Sequence, residues 1–245
     1  DAYKAILDSA DGVANNDSVN PTQAQYAAIG INGVDTTQEE SLLGDVLDTA
    51  SRNGVATDAA AVNTVSKVQA LANAVQAVMD GTATQAQLES LGVTGVTSAN
   101  LSSIQAALVA ANDTTQLNSL SGLQAVATNA VSALSAIQAA AQANSATDST
   151  PSAAEYTALG VTGIGGAGQP TVAMINSALN DGDITGTQAD TASKVQAIVD
   201  AYKAILDSAD GVANNDAVNP TQAQYAAIGV NGVDTTQEES LLGDV

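Results

Sequence analysis

Apolar residues recur every three or four positions over long stretches of the chain, a spacing that predicts amphipathic helices. In the two clearest stretches the apolar stripe consists of Val62, Val65, Val68, Ala72, Val75 and Met79, and of Val195, Ile198, Tyr202, Ile205 and Ala209. We expect helices of about 20 residues or more here, and so about 30 Å or longer at 1.5 Å per residue. Their expected ends are glycine or asparagine positions, at Asp11-Gly12, Asp80-Gly81, Asn144 and Asp210-Gly211.

A short second helix is expected after each of these ends. A capping residue starts it, followed in three of the four cases by proline at the first helical position: Asn20-Pro21, Thr82-Ala83, Thr150-Pro151 and Asn219-Pro220. Two core residues three positions apart follow, as Tyr26/Ile29, Leu88/Leu91, Tyr156/Leu159 and Tyr225/Ile228. A glycine then predicts a left-handed stop, with the next apolar residue folding back over the helix end, at Gly30, Gly92, Gly160 and Gly229.

A third helix is expected after a second glycine. Thr36 and Glu39 fit a capping box, and in the next repeat Val96, Thr97 and Leu101 fit a hydrophobic staple around an N-cap. The expected core faces are Leu42, Leu43, Val46 and Leu47, then Leu101, Ile104 and Leu108, then Val172, Ile175 and Leu179. Each unit is therefore predicted to be a small three-helix bundle. A long helix shared by two bundles, or a hinge, would join neighbouring units, and we favour the helix.

Two short motifs mark the repeats. The first is apolar-Gly-apolar-Xaa-Gly-apolar, and it occurs at residues 29–34, 91–96, 159–164 and 228–233. The second is Ser-(Lys/Gly)-(Val/Leu)-Gln-Ala, and it occurs at residues 66–70, 121–125 and 193–197. Such internal repetition is typical of arrays in which each unit contacts its neighbours.

A longer repeat encloses these motifs. Residues 1–46, the first copy, return as residues 200–245, the last copy, with Ser18 replaced by Ala217 and Ile31 by Val230. This near-identity indicates a recent tandem duplication, and we expect the chain to be cut from a longer protein. We predict an all-α fold of tandem small three-helix bundles joined by long connecting helices in an elongated array. The predicted modules are 1–61 (first long helix truncated), 62–120, 121–190 and 191–245 (incomplete).

Composition narrows the classes of function. The chain is 45% hydrophobic but has no Phe, Trp or Cys, which favours several small cores over one large core. Its net charge of −21 disfavours nucleic acid and anionic membrane surfaces as partners. We expect no membrane insertion, because no uninterrupted apolar run approaches about 18 residues. Dispersed acidic residues favour a soluble array whose chains repel one another.

Catalysis is not expected. Histidine and cysteine are absent, so nucleophile–base pairs built on them are impossible. The carboxylate pairs Glu39-Glu40 and Glu238-Glu239 lie where a first helical turn is predicted, and acids are favoured there by the helix dipole. We predict that the protein is not an enzyme and has no cofactor, with calcium as the one candidate ion.

The candidate calcium site is a loop rich in Asp and Asn that occurs in both copies. Carboxylate and amide oxygens beside glycine suit a hard cation, although the order departs from an EF-hand loop and such residues also form turns without metal. The candidate ligands are Asp11, Asn15, Asp17, Asp210, Asn214 and Asp216. A glycine-rich stretch at 162–170 resembles a phosphate loop superficially, but it lacks a nearby lysine and is interpreted as a lengthened turn.

The pattern K-A-I-L-D-S-A-D-G followed by N-P-T-Q-A-Q-Y-A-A-I-G-V-N-G-V, rich in Asp, Thr, Asn and Gln, resembles helical repeats of very large bacterial surface proteins. These are biofilm-type adhesins, often exported by type I secretion. The resemblance implies an extracellular location on the bacterial cell surface. It also implies a structural spacer that projects a distal binding domain, with neighbouring repeats of the same chain as its partners. No binding residue carries over.

Two other functions stay open at this point. The modules could bind a protein, as small three-helix surface modules do, and an exposed apolar patch would then be expected. Alternatively, the array could be a stalk stiffened by calcium, in which case the Asp- and Asn-rich loops would hold the ion.

Overall fold

The chain forms helices along the parts that the computed structural model describes, which are residues 2–10, 20–50, 62–112, 114–141, 150–209 and 219–243. Within these ranges there are twelve α-helices and two short 3-10 helices, at Thr115–Asn118 and Gly186–Gln188, and no strand. The predicted all-α class is confirmed. The helices are α1 (Ala2–Ser9), α2 (Gln23–Ala28), α3 (Thr37–Asp48), α4 (Val65–Met79), α5 (Gln85–Ser90), α6 (Leu101–Ala111), α7 (Leu120–Ala140), α8 (Ala153–Ala158), α9 (Val172–Leu179), α10 (Ala192–Ser208), α11 (Gln222–Ala227) and α12 (Thr236–Gly243).

The long helices are shorter than predicted in two of three cases. Helix α7 has 21 residues, whereas α4 has 15 and α10 has 17. Helix α4 begins at Val65 because Thr64, in an extended conformation, accepts a hydrogen bond from Lys67 N with its hydroxyl. Val62 therefore lies outside the helix, yet it is buried, while Val65 is exposed, so the predicted stripe is wrong at its first two positions.

The predicted end of α4 at Asp80-Gly81 is confirmed. Asp80 is the C-cap, and Gly81 follows it with φ +65°, the left-handed region in which a Cβ would be strained. The other three predicted ends, at Asp11-Gly12, Asn144 and Asp210-Gly211, lie outside the described residues.

The short helices begin two residues later than predicted. Their N-caps are Thr22, Thr84, Ser152 and Thr221, and each pairs reciprocally with a Gln or Glu three residues on. This capping box satisfies two backbone donors at the start of each helix, and proline at the first helical position would not do so. The helix therefore starts after the capping residue, and the prediction of proline at its first position is wrong. Proline instead directly precedes the cap, which is the position of the first residue of a hydrophobic staple, and both Pro21 and the fourth helical residue Tyr26 are buried.

The predicted glycine stops are confirmed in all four short helices. Gly30 has φ +84°, its N–H donates to Ala27 O at 3.0 Å, and Ile31 N donates to Tyr26 O at 3.0 Å. These two bonds define the Schellman motif, and the same pair closes α5, α8 and α11. The core residues three positions apart are buried, except that Ile29 and Ile228 are half-buried.

The third helices follow the predictions closely. Thr36 and Glu39 form the expected capping box, and Leu42, Leu43, Val46 and Leu47 are fully buried. Helix α6 begins at Leu101, four residues after the predicted cap Thr97. Asn100 is the N-cap instead, and its Oδ1 accepts from Thr97 N at 2.8 Å, so the predicted cap position is wrong.

The chain divides into two compact units, Asp1–Thr128 and Asn129–Val245, and the division falls inside α7. In the first unit α1 packs against α2 and α3, while α4 packs against α3, α5 and α6. Helix α3 also contacts the 3-10 helix Thr115–Asn118. In the second unit α10 packs against α9 and α11. The four predicted modules divide the chain more finely and stay a prediction.

Among the described helices, α7 alone is long and apolar enough to cross a membrane, with a mean hydropathy of 1.3 over 18 residues. Length and composition are the only grounds for this, and core helices of soluble proteins meet the same criterion. Its buried residues recur every three or four positions, at Leu123, Ala127, Ala130, Leu134 and Ile137. The absence of membrane insertion stays a prediction.

Candidate functional site: a glutamine clamp between repeats

The acidic pairs that were weighed as catalytic candidates act as helix caps. Glu39 Oε2 accepts from Thr36 N at 2.8 Å, from Thr36 Oγ1 at 2.9 Å and from Asp35 N at 2.9 Å. Glu40 Oε2 accepts from Gln23 N, in the first turn of α2, at 3.0 Å. Each of these carboxylates therefore accepts from backbone donors at a helix start, and this use of the pair is structural.

Glu238, the counterpart of Glu39 in the last copy, behaves in the same way. Glu238 accepts from the hydroxyl of Thr235 and from the backbone N–H groups of Asp234 and Thr235, and these bonds hold the pKa of its carboxyl below the usual value. Hydrogen bonds to a carboxylate favour its charged form.

The candidate calcium ligands Asp11, Asn15, Asp17, Asp210, Asn214 and Asp216 lie outside the described residues, and the calcium hypothesis stays a prediction. Among the residues that the structure does describe, no group of three or more Asp or Glu side chains could hold a metal ion.

The glycine-rich stretch at 162–170 is a closed loop between α8 and α9, as predicted. Gly165 N donates to Pro170 O at 2.8 Å, and Gly163, Gly165 and Gly168 all have positive φ. The loop leads to Thr171, which caps α9. Its role is that of a lengthened turn that ends on a helix cap.

A glutamine side chain joins the two repeated motifs. Asn32 N donates to Gln69 Oε1 at 2.9 Å, and Gln69 Nε2 donates back to Asn32 O at 3.0 Å. Asn32 is the variable residue of the glycine motif, and Gln69 is the glutamine of the Ser-(Lys/Gly)-(Val/Leu)-Gln-Ala motif. The carboxamide thus pairs with both backbone groups of one residue, as a residue of a neighbouring strand would. A third bond, from Gln69 Nε2 to Asn73 Oδ1 at 2.7 Å, orients the side chain along α4.

This glutamine clamp recurs at each place where the chain contains both motifs. Thr94 N donates to Gln124 Oε1 at 2.8 Å, and Gln124 Nε2 donates to Thr94 O at 3.2 Å. Thr162 N donates to Gln196 Oε1 at 2.9 Å, and Gln196 Nε2 donates to Thr162 O at 3.2 Å. Each clamp runs from one predicted module to the next. Two neutral hydrogen bonds contribute about 1–3 kcal/mol together, and less where water competes, as at these exposed positions.

Helix α3 makes a second set of polar contacts, with residues that lie far after it in the sequence. Gln38 Nε2 donates to Thr114 O at 3.2 Å, and Ser41 Oγ donates to Asn118 O at 2.9 Å. Asp45, which is nearly buried, accepts from Leu120 N, the first residue of α7, at 2.5 Å. A carboxylate at a helix N-terminus is favoured by unpaired N–H groups and the helix dipole. Helix α3 therefore holds the segment that starts α7.

The tyrosines lie in the core or beside it, as predicted. Tyr26, Tyr156 and Tyr225 are buried, and burial is the main cause that raises the pKa of each hydroxyl above its ordinary value of 10.0. Nearby carboxylates raise the pKa of each further. Tyr156 Oη donates to Asn176 Oδ1 at 2.6 Å, whereas the hydroxyl of Tyr26 has no hydrogen-bond partner among the described residues.

Sequence reasoning identified both motifs of the clamp but did not connect them. The usable signal was a glutamine present in all three copies of the motif at a half-buried helix position, where composition alone would allow other polar residues. The contacts of Gln38, Ser41 and Asp45 carried no such signal, because their partners Thr114, Asn118 and Leu120 belong to neither of the two motifs.

No model of a known protein family, no curated protein and no solved structure matches this chain.

Proposed function

We propose that this protein is a structural spacer, an extender segment of a large bacterial cell-surface adhesin that projects a distal binding domain from the cell. The observation that carries the proposal is the glutamine clamp, which joins the glycine loop of one repeat to the long helix of the next at three successive places. When each unit contacts the next through the same glutamine clamp, the array can be lengthened by adding units.

We further propose that each module is a three-helix bundle and that the long helix connects neighbouring bundles in an elongated array. The contacts of α4 support this, because one helix packs against α3 before it and against α5 and α6 after it. The contacts of α10 with α9 and α11 repeat the pattern in the second unit.

The chemistry of the chain fits a spacer that is not an enzyme. The charge of −21 keeps neighbouring chains apart. Glu39 and Glu238 of the acidic pairs described above act as helix caps. The largest exposed hydrophobic side chains in the described ranges are Val65, Val109, Val230, Leu241 and Leu242. Three of these five belong to the last copy, so the interior repeats offer little apolar surface to a foreign protein.

Small-angle X-ray scattering on chains of increasing length tests the extender proposal. The series would contain residues 1–245 and the same chain lengthened by one and by two further 199-residue periods. For an extender, the radius of gyration rises in nearly direct proportion to chain length. A compact fold predicts only about a 1.3-fold rise when the length doubles, and that result would refute the proposal.

A further inference from the structure

The first and last copies share 44 of 46 residues but differ in what they expose. Leu42 is fully buried, while its counterpart Leu241 is 70% exposed. Leu43 is fully buried, while Leu242 is 43% exposed. Since the side chains are the same, the difference lies in what covers them.

In the first copy the covering elements are helix α4 and the 3-10 helix Thr115–Asn118, both of which contact α3. Hydrogen bonds hold them there, from Gln69 to Asn32 and from Gln38 and Ser41 to the backbone of Thr114 and Asn118. In the last copy the matching residues are Asn231, Gln237 and Ser240. Gln237 and Ser240 are exposed, whereas Gln38 and Ser41 are half-buried. Asn231 is exposed, as Asn32 is, and its side chain donates to Asp183 Oδ2.

An apolar cleft also opens in the last copy. It has a volume of about 300 Å³, and Ile205, Tyr225, Ile228, Val230 and Leu242 line it. The matching residues of the first copy include Ile6, Tyr26 and Leu43, and all three are fully buried. The cleft is therefore part of a core that, within the described ranges, no other element covers on one side.

We infer that the face formed by Val230, Asn231, Gln237, Ser240, Leu241 and Leu242 is a docking surface for one more repeat module. Its occupant has the sequence character of residues 47–128, with a glutamine that clamps Asn231 and a 3-10 segment that accepts from Gln237 and Ser240. This inference rests on the proposed spacer function and adds the identity and direction of the contact.

A second copy of this chain fits the face less well. Its own residues 62–120 are already engaged by its own helix α3, so they would have to leave that helix before binding another chain. The occupant is therefore an additional module.

Thiol labelling tests the docking surface on the full chain, which contains no native cysteine. Residues 47–128 are appended after Val245, and Leu241→Cys is introduced with and without this extension. Alkylation of the thiol becomes slower in the extended chain, on the order of tenfold or more, because a docked module must open before the reagent enters. Val109→Cys is the matched control, because Val109 is exposed and lies far from position 241 in the sequence. Its thiol reacts at the same rate in both chains.

A second variant shows whether the clamp is part of the docking. The change Gln69→Ala is made only in the appended segment, and protection of the thiol at position 241 is then partly lost. Equal reactivity with and without the extension would overturn the inference. Protection that grows with concentration in the chain without the extension would also overturn it, because a second copy would then be the occupant.

Scattering on the same extended chain separates this inference from the spacer proposal. A protected thiol in a compact chain leaves the docking surface intact and refutes the spacer, whereas a rod with an unprotected thiol does the reverse.

Discussion

The first and last copies place almost the same sequence in two different structural environments. Their local structure agrees: Thr22 and Thr221 cap α2 and α11 with the same reciprocal bonds, and Gly30 and Gly229 close these helices with the same Schellman motif. Their burial differs, because α3 is covered by α4 whereas the described residues place no helix over the corresponding face of α12. Local signals therefore build each helix, and the neighbouring module decides which apolar residues become core.

The largest effect is expected from the leucine pair that separates the two copies most. Leu42→Ala should lower the free energy of unfolding by about 2–5 kcal/mol, because it leaves a cavity in a closed core. Leu241→Ala should change it by about 0.5 kcal/mol or less, because that side chain is largely in water. Urea denaturation followed by circular dichroism measures both. Equal losses would show that the two copies share one environment.

A glycine inside the third helix tests a contact that both copies keep. A Cβ on Gly44 would lie 2.2 Å from Cγ of Asn20, and one on Gly243 would lie 2.4 Å from Cγ of Asn219. Alanine usually stabilises a helix relative to glycine by about 1 kcal/mol, but the overlap costs about 1–3 kcal/mol. Gly44→Ala and Gly243→Ala should therefore both destabilise, by similar amounts.

Removing the asparagine side chain checks the cause of that loss. Adding Asn20→Ala to Gly44→Ala should recover part of the stability lost by Gly44→Ala alone, because the overlaps with Cγ and Nδ2 disappear while the one with Cβ, at 2.6 Å, remains. A double variant no more stable than Gly44→Ala would show that the close approach is not responsible.

Loss of the glutamine clamp at Gln69 should affect the first copy and leave the last copy unchanged. Gln69→Ala removes both bonds to Asn32 and should cost about 1–2 kcal/mol. Hydrogen exchange should become faster at the amide of Asn32 and stay the same at the amide of Asn231. Asn73→Ala is the control, since it removes only the bond that orients the glutamine. Unchanged exchange at Asn32 would contradict the role of the clamp.

Buried tyrosines allow a smaller and more selective comparison. Tyr156→Phe should cost about 1 kcal/mol, because Asn176 Oδ1 loses its donor. Tyr26→Phe should be close to neutral, because the hydroxyl of Tyr26 has no partner among the described residues. Thermal unfolding of both variants distinguishes them, and a larger loss at Tyr26 would point to a partner for its hydroxyl.

Alkaline pH should act on the same tyrosines. Burial raises the pKa of Tyr26 and Tyr225 above that in the unfolded chain, so both stabilise the fold below about pH 10 and lose this contribution as the pH rises further. Absorbance at alkaline pH should show Tyr225 ionising before Tyr26, because an open cleft borders Tyr225. Tyr26→Phe and Tyr225→Phe assign the two steps, and the reverse order would contradict the difference in cover between the copies.

Much of the helical structure could be predicted because its signals are short. The stops at Gly30, Gly92, Gly160 and Gly229 depend on one left-handed residue and two bonds within six positions. The errors lay where two local signals competed. A capping box at Thr22 prevailed over proline at the first helical position, and a cap at Thr64 cut α4 short.

By itself, the amino-acid sequence determined the all-helical class, the glycine stops, the capping box at Thr36 and the apolar face of the third helix. The tertiary structure alone decided that Gln69 binds Asn32, that Asp45 receives the start of α7, and that Leu42 is core while Leu241 is exposed. The reason is physical: a cap or a turn is satisfied by neighbours along the chain, whereas a clamp and a closed core need groups from residues far along the chain. Such a contact forms only when the following module is present and packed in place.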